Sequence, residues 1–140
     1  MGRQLYMLGI VVRDMPAALA FYRRLGLDIP AGSESRTHVQ VPMGDGFTFF
    51  LDVNPTAWDP NFVREQNPPS PAGGYGTILE FYLKSRAAVD ETYADLVAAG
   101  YASHAAPYAT PFKMYFAMVY DPDGNVVLLS GDLDPAESEA

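Results

Sequence analysis

Cysteine is absent from the chain. That excludes disulfides, thiolate zinc sites and thiol catalysis together, and leaves the redox compartment open. Histidine is scarce, with only His38 and His104, and tryptophan occurs once, at Trp58. Positive charge is thin as well: 9 Lys and Arg against 17 Asp and Glu give a formal net charge of −8. The cations are scattered along the chain, so no basic face is available for phosphates and nucleic acid is excluded as a partner. The acidity serves solubility, or it forms a field that favours cationic ligands. No apolar run approaches the ~20 residues of a membrane span. The opening stretch "MGRQLYMLGIVV" lacks the apolar core of a signal peptide. The expectation is a cytoplasmic protein with no membrane partner. Serine nowhere sits in a G-x-S-x-G elbow, and the "GDG" at residues 44–46 is too short for a phosphate loop.

What is present is a globular composition, with 49% hydrophobic and 19% charged residues. A chain of 140 residues buries roughly two thirds of its unfolded surface, enough for a core without staples. It reads as one domain, or two small halves sharing a core. Leu5 to Val12 is apolar and β-branched, a strand. Asp14 then offers an N-cap with Pro16 in the first turn. Ala18, Phe21, Tyr22 and Leu25 follow at i, i+3, i+4, i+7, and Gly26 stops that helix. "RTHVQV" and "FTFFLDV" are strands joined through Met43-Gly44-Asp45-Gly46.

The second half repeats this order: a strand over Thr77–Lys84, Ser85 as N-cap, a helical stripe of Val89, Thr92, Tyr93 and Leu96, and Gly100 as the stop. "FKMYFAMVY" and "NVVLLSG" then form a hairpin through Asp121-Pro122-Asp123-Gly124. Strand, helix, strands, twice over, is an internal duplication. The expected division is a first module over 1–53, a Pro/Gly-rich connector over 54–75, a second module over 76–131 and an acidic tail over 132–140. The connector carries Trp58 and Tyr75, and its "EQNPPSPAGG" reads as a flexible linker.

The duplicated order, the stretch "VVRDMPAALAFYRRLGL" and the closing "DPDGN" hairpin together resemble the vicinal oxygen chelate superfamily of glyoxalases, extradiol dioxygenases and bleomycin-resistance proteins. The resemblance spans about Leu5 to Gly131. It implies an α+β fold of duplicated βαβββ modules forming a curved mixed sheet around a cavity, with helices packed outside, and a homodimer. Enzymes of that family hold a metal with His and Glu on cavity-facing strand positions. Carried over by strand parity, those positions fall on Met7, Phe50, Ile78 and Leu128. Thioether and hydrocarbon side chains do not supply the N and O donors that a divalent cation needs, so no metal and no cofactor are expected. A shift of two residues would bring in Asp52 or Glu80, yet would leave the first and last strands without a ligand.

By the same alternation, His38, Gln40, Thr48, Phe50 and Asp52 face the cavity with Glu80 and Tyr82, and the final hairpin adds Met114, Phe116, Met118, Leu128 and Ser130. A turn one residue different would bring in Lys113, Tyr115 and Ala117 instead. Methionines and aromatic rings with a few polar groups suit a flat or apolar small molecule. The same residues also fit a plain core. His38 is either an exposed histidine or a ligand-facing acid or base, and Trp58 either anchors the connector or stacks on a ligand. Asp52 and Glu80 either form an acid/base pair or are solvated or paired with arginine. His104 reads as structural or exposed. The leading expectation resembles the bleomycin-resistance branch: a metal-free protein that sequesters an aromatic natural product. The binding residues expected are His38, Gln40, Phe50, Asp52, Trp58, Glu80, Tyr82, Met114, Phe116, Met118 and Leu128. The alternative is an enzyme of the same fold, either metal-free with a His or Glu base or metal-dependent through other ligands.

Overall fold

The computed structural model describes residues 2–62 and 77–133. The chain divides into two compact units, Met1–Pro68 and Pro69–Ala140. In the first, β1 (Met7–Val11) leads into α1 (Met15–Leu25), followed by β2 (His38–Pro42) and β3 (Thr48–Asp52). In the second, β4 (Ile78–Ser85) leads into α2 (Arg86–Ala98), followed by β5 (Ser103–Ala109), β6 (Met114–Tyr120) and β7 (Val126–Asp132).

Each unit carries its own mixed sheet, with strand order β1-β3-β2 in the first and β4-β7-β6-β5 in the second. The first strand of each unit pairs in parallel with its last, and the hairpins pair antiparallel. This α+β arrangement bears out the expected fold class at the level of duplicated strand–helix–strand units with mixed sheets.

The helix ends form where their chemistry places them. Asp14 Oδ1 accepts the Ala17 N–H at 3.0 Å, and Ser85 Oγ accepts that of Ala88 at 3.1 Å. Gly26 takes φ +115°, and beyond it the Leu27 N–H returns to the Tyr22 carbonyl at 2.9 Å. One face of the first sheet packs on α1, where Tyr22 meets Phe49 edge-on at 5.3 Å, and Ile10, Val39, Val41, Phe49 and Leu51 are buried. Burial of each such side chain contributes about 1.5–3 kcal/mol. One face of the second sheet packs on α2. There the Tyr115 hydroxyl donates to Asp90 at 2.6 Å, the Arg86 guanidinium lies 4.5 Å from the Tyr115 ring centre, and Leu79, Ala117, Val119, Val127 and Leu129 are buried. Burial raises the Tyr115 hydroxyl, and the bond to Asp90 raises it further.

Three details differ from the sequence expectation. Ser103–Ala109, for which the local pattern predicts no strand, is strand β5. In the first unit no strand follows α1 before β2; residues 27–37 run as a loop with a 3-10 turn at Ser33–Ser35. The unit therefore has three strands where a full βαβββ module has four. Asp132, assigned to the tail, is the last residue of β7. The linker "EQNPPSPAGG", Tyr75 and the tail beyond residue 133 lie outside the described residues.

Candidate functional site

The register decides which side chains share a face. In the first sheet Val11 stands beside Asp52, Gly9 beside Phe50 and Met7 beside Thr48, while His38 stands opposite Asp52 and Gln40 opposite Phe50. His38, Gln40, Thr48, Phe50 and Asp52 therefore share the face turned away from α1. In the second sheet Glu80 stands beside Leu128 and Tyr82 beside Ser130, while Met118 stands opposite Leu128, Phe116 opposite Ser130 and Met114 opposite Asp132. These residues share the face turned away from α2. Tyr115 and Ala117 lie on the helix side, so the one-residue alternative for the last hairpin is not the one adopted.

In the first unit five of the expected residues meet. Asp52 is 2% exposed and every lone-pair direction it uses is answered. The His38 Nδ1–H and the Trp58 Nε1–H both donate to Oδ2 at 2.8 Å, and the Asn54 N–H donates to Oδ1 at 2.7 Å. The indole arrives because a 3-10 turn at Pro55–Ala57 reverses the chain just after β3. Trp58 still leaves 58% of its surface exposed, so it is both an anchor and an open ring. Burial alone would raise the Asp52 carboxyl. The Trp58, His38 and Asn54 hydrogen bonds outweigh burial and hold it below the usual carboxylate range.

The other edge of the His38 ring meets Gln40, whose Nε2–H donates to His38 Nε2 at 3.2 Å. An amide nitrogen cannot accept, so Nε2 carries the lone pair and the ring proton sits on Nδ1, against Asp52. The ring is held by a carboxylate on one side and offers an acceptor atom on the other. The Phe50 ring lies 5.0 Å from the His38 ring, tilted by 33°. It also covers Gly9 of edge strand β1, where a Cβ would stand 2.0 Å from Phe50 Cζ. Sequence reasoning missed this contact, although an isolated glycine inside a strand is the usual sign of a close approach. A small cavity of about 130 Å³ adjoins the site, lined by Pro30, Ala31, Gly32, Ser33, Arg36, Val39 and Gln40.

In the second unit the expected residues are engaged among themselves. Ser130 Oγ donates to Glu80 Oε2 at 2.8 Å. The Tyr82 hydroxyl donates to Asp132 Oδ2 at 2.8 Å, and that bond holds the phenol above its ordinary range. Met114, Phe116 and Met118 are half-buried, and Leu128 is buried. Phe116 has Tyr108 and Phe112 edge-on at 6.1 and 5.7 Å. His104 is structural in the sense expected, its Nδ1 hydrogen-bonded to the Tyr120 hydroxyl at 2.6 Å. Asp52 and Glu80 belong to different units, and each has partners inside its own.

The metal positions of the resembling family fit no metal in this chain. Met7 and Phe50 share the open face of one sheet, Ile78 and Leu128 that of the other, and none offers an N or O donor. Nearby, His38 Nδ1 and Asp52 are engaged with each other and with Trp58 and Asn54, which leaves His38 Nε2 as a single nitrogen donor, too few for a metal site. Among the described residues no group of three or more His, Cys, Asp or Glu side chains converges on a point where a metal would sit. Nor is any helix among them long and apolar enough to cross a membrane.

Residues 4–129 match the model of the Glyoxalase/Bleomycin resistance protein/Dioxygenase superfamily. Solved structures are similar over nearly the whole chain. One is a glyoxalase/bleomycin resistance protein/dioxygenase family enzyme from Burkholderia phytofirmans PsJN, with 24% identity, a TM-score of 0.72, and 91% of this chain and 98% of that one covered. Another is a glyoxalase/dioxygenase from Nostoc punctiforme, with 22% identity, a TM-score of 0.67, and 94% and 92% covered. A third is a lactoylglutathione lyase from Agrobacterium tumefaciens, with 23% identity, a TM-score of 0.64, and 93% and 94% covered. At these identities the likeness carries the fold and not the activity. No curated protein matches the chain. The match over 4–129, on an architecture of two strand–helix–strand units with mixed sheets, makes this chain a member of the glyoxalase/bleomycin resistance protein/dioxygenase superfamily.

Proposed function

We propose that this protein binds an aromatic or planar small molecule without a metal, and that it sequesters the molecule rather than converting it. The observation that carries this reading is the exchange of chemistry on the open sheet faces. Where the family places metal ligands, this chain has Met7, Phe50, Ile78 and Leu128. Beside Phe50 stands the His38 imidazole, and Asp52 anchors both that imidazole and the Trp58 indole. Aromatic faces supply stacking area, and the few polar atoms fix orientation. Met114, Phe116 and Met118 give the second sheet an adaptable apolar surface of the same kind. A homodimer and an antibiotic-type ligand belong to this proposal as the family's precedent for metal-free binding.

A second reading has one observation in its favour. The Nδ1–H···Asp52 bond orients His38 as a general base orients in metal-free proton transfer. Thermal unfolding in the presence of planar aromatic compounds, with and without divalent metals, tests the first reading, since a ligand that binds the folded state raises Tm by mass action. Planar compounds should raise Tm and metals should not. Stabilisation by metals alone would overturn the proposal, and conversion of a bound compound would favour the second reading.

A further inference from the structure

Resting on that binding reading, we propose that His38 Nε2 is the atom that receives a hydroxyl hydrogen from the ligand, so that the ligand is a hydroxyaromatic compound. Three observations converge on this atom. The ring proton is committed to Nδ1 by the Asp52 carboxylate at 2.8 Å, so the lone pair at Nε2 faces outward and requires a donor. Its present donor is the amide of Gln40, an exposed side chain on the same strand, at a long 3.2 Å. A neutral amide on an exposed, rotatable side chain is a replaceable partner. The ring that carries this atom has aromatic neighbours: the Phe50 and His38 ring centres are 5.0 Å apart, and the Trp58 indole shares the Asp52 Oδ2 oxygen with His38.

A ligand that fits both features has a flat ring to lie against these aromatic side chains and an O–H at its edge. When it binds, the Gln40 N–H leaves Nε2 and returns to water, and the ligand O–H donates in its place. Where the hydroxyl is acidic enough, the O–H bond breaks and an Nε2–H bond forms. The imidazolium then carries the proton between the Asp52 carboxylate and the phenolate oxygen, and no other group is consumed. The side chain is suited to this because 39% of it is exposed while its Asp52 partner is buried. The ring is reachable, but its tautomer is fixed from behind. Tyrosine and serine hydroxyls, which both donate and accept, would not impose this choice on a ligand.

The test compares 2-naphthol with 2-methoxynaphthalene, the same ring with its hydroxyl hydrogen replaced by methyl, by equilibrium dialysis against the full chain. The wild type should bind 2-naphthol about two- to tenfold more tightly, the worth of one net hydrogen bond. His38→Phe should abolish the preference while keeping affinity for the ring. Gln40→Leu, at an exposed position, should enlarge it, because no amide has to be displaced. The 15N resonance of His38 Nε2 should move on addition of 2-naphthol and stay in place with the methyl ether. Equal binding of the two compounds by the wild type, or a preference that survives His38→Phe, overturns the hydroxyl assignment and leaves the aromatic-binding reading standing. Failure of every planar aromatic compound to bind or to raise Tm overturns both.

Discussion

Trp58 and the buried Asp52 stand six positions apart in the chain and are joined by one hydrogen bond, indole Nε1–H to Oδ2 at 2.8 Å. The indole ring itself is mostly exposed, so its contribution to folding rests on that bond more than on packing. Trp58→Phe keeps a ring and removes the donor. A hydrogen bond to a charged, buried acceptor contributes about 1.5–3 kcal/mol, and Asp52 retains His38 and the Asn54 N–H. The expected loss is therefore about 1.5–2 kcal/mol, at the low end of that range, read as a lower urea midpoint by far-UV circular dichroism. An unchanged midpoint would mean that the bond contributes nothing to stability.

Asp52 also fixes a pH dependence. Its carboxyl lies below its ordinary value in the folded chain, so the folded state favours the ionised form. The resulting stability is fully present above the unfolded value of about 3.9 and is lost as pH falls through the lower, folded value. Asp52→Asn cannot ionise and has no such dependence from this site. The wild type should be the more stable of the two at pH 7, with a gap that closes as the pH drops below about 4. Urea unfolding of both proteins at several pH values measures it, and a gap that stays constant down to acid pH would contradict the ionised, hydrogen-bonded Asp52 described above.

How far the site could be read from the sequence depended on how local each feature is. Strand alternation was enough to put His38, Gln40, Phe50 and Asp52 on one face, because the period of two is intrinsic to the backbone. For the last hairpin alternation left two faces open, because it does not set the register; that is fixed by the turn, where Asp121 Oδ1 accepts the Asp123 and Asn125 N–H groups. The His38–Asp52–Trp58 convergence was not legible. It needs the 3-10 turn at Pro55–Ala57, inside a stretch whose composition says only that it is irregular. Strand β5 escaped for a different reason. "SHAAPYA" has little alternation and contains Pro107, which an edge strand tolerates because one side of it needs no ladder bonds. β5 is the edge of its sheet, and its pairing with β6 shifts register twice. The parallel β1–β3 and β4–β7 pairings join segments far apart in sequence, which no local pattern reveals.

The Gly9–Phe50 contact yields a prediction in which two substitutions must be read together. A Cβ on Gly9 would stand 2.0 Å from Phe50 Cζ, so Gly9→Ala forces the ring off its seat. Overpacking of this kind costs about 1–3 kcal/mol. Phe50→Leu shortens the side chain and should recover much of that loss in the double variant, giving a coupling energy of roughly 0.5–3 kcal/mol. Because the displaced ring is the one beside His38, Gly9→Ala should also weaken binding of planar aromatic compounds. Additive effects of the two substitutions on the urea midpoint would show that ring and glycine do not interact.

Metal removal gives the last prediction, and its sign separates this chain from metal-dependent members of its superfamily. A bound metal that stabilises only the folded state adds to stability according to its affinity and free concentration, so chelation lowers Tm in a protein that depends on it. Here Met7, Phe50, Ile78 and Leu128 offer no donor, Asp52 is engaged by three hydrogen bonds, and His38 Nε2 alone is one ligand. EDTA treatment should therefore leave Tm unchanged, and metal analysis of the dialysed protein should find far less than one divalent ion per chain. Coordination through His38 Nε2 would displace only the Gln40 amide, but it would supply a single protein ligand. Sub-millimolar zinc or nickel should thus leave Tm flat, because one imidazole nitrogen binds them too weakly to load the folded state. A stoichiometric metal that survives dialysis and raises Tm would overturn the metal-free reading of the site.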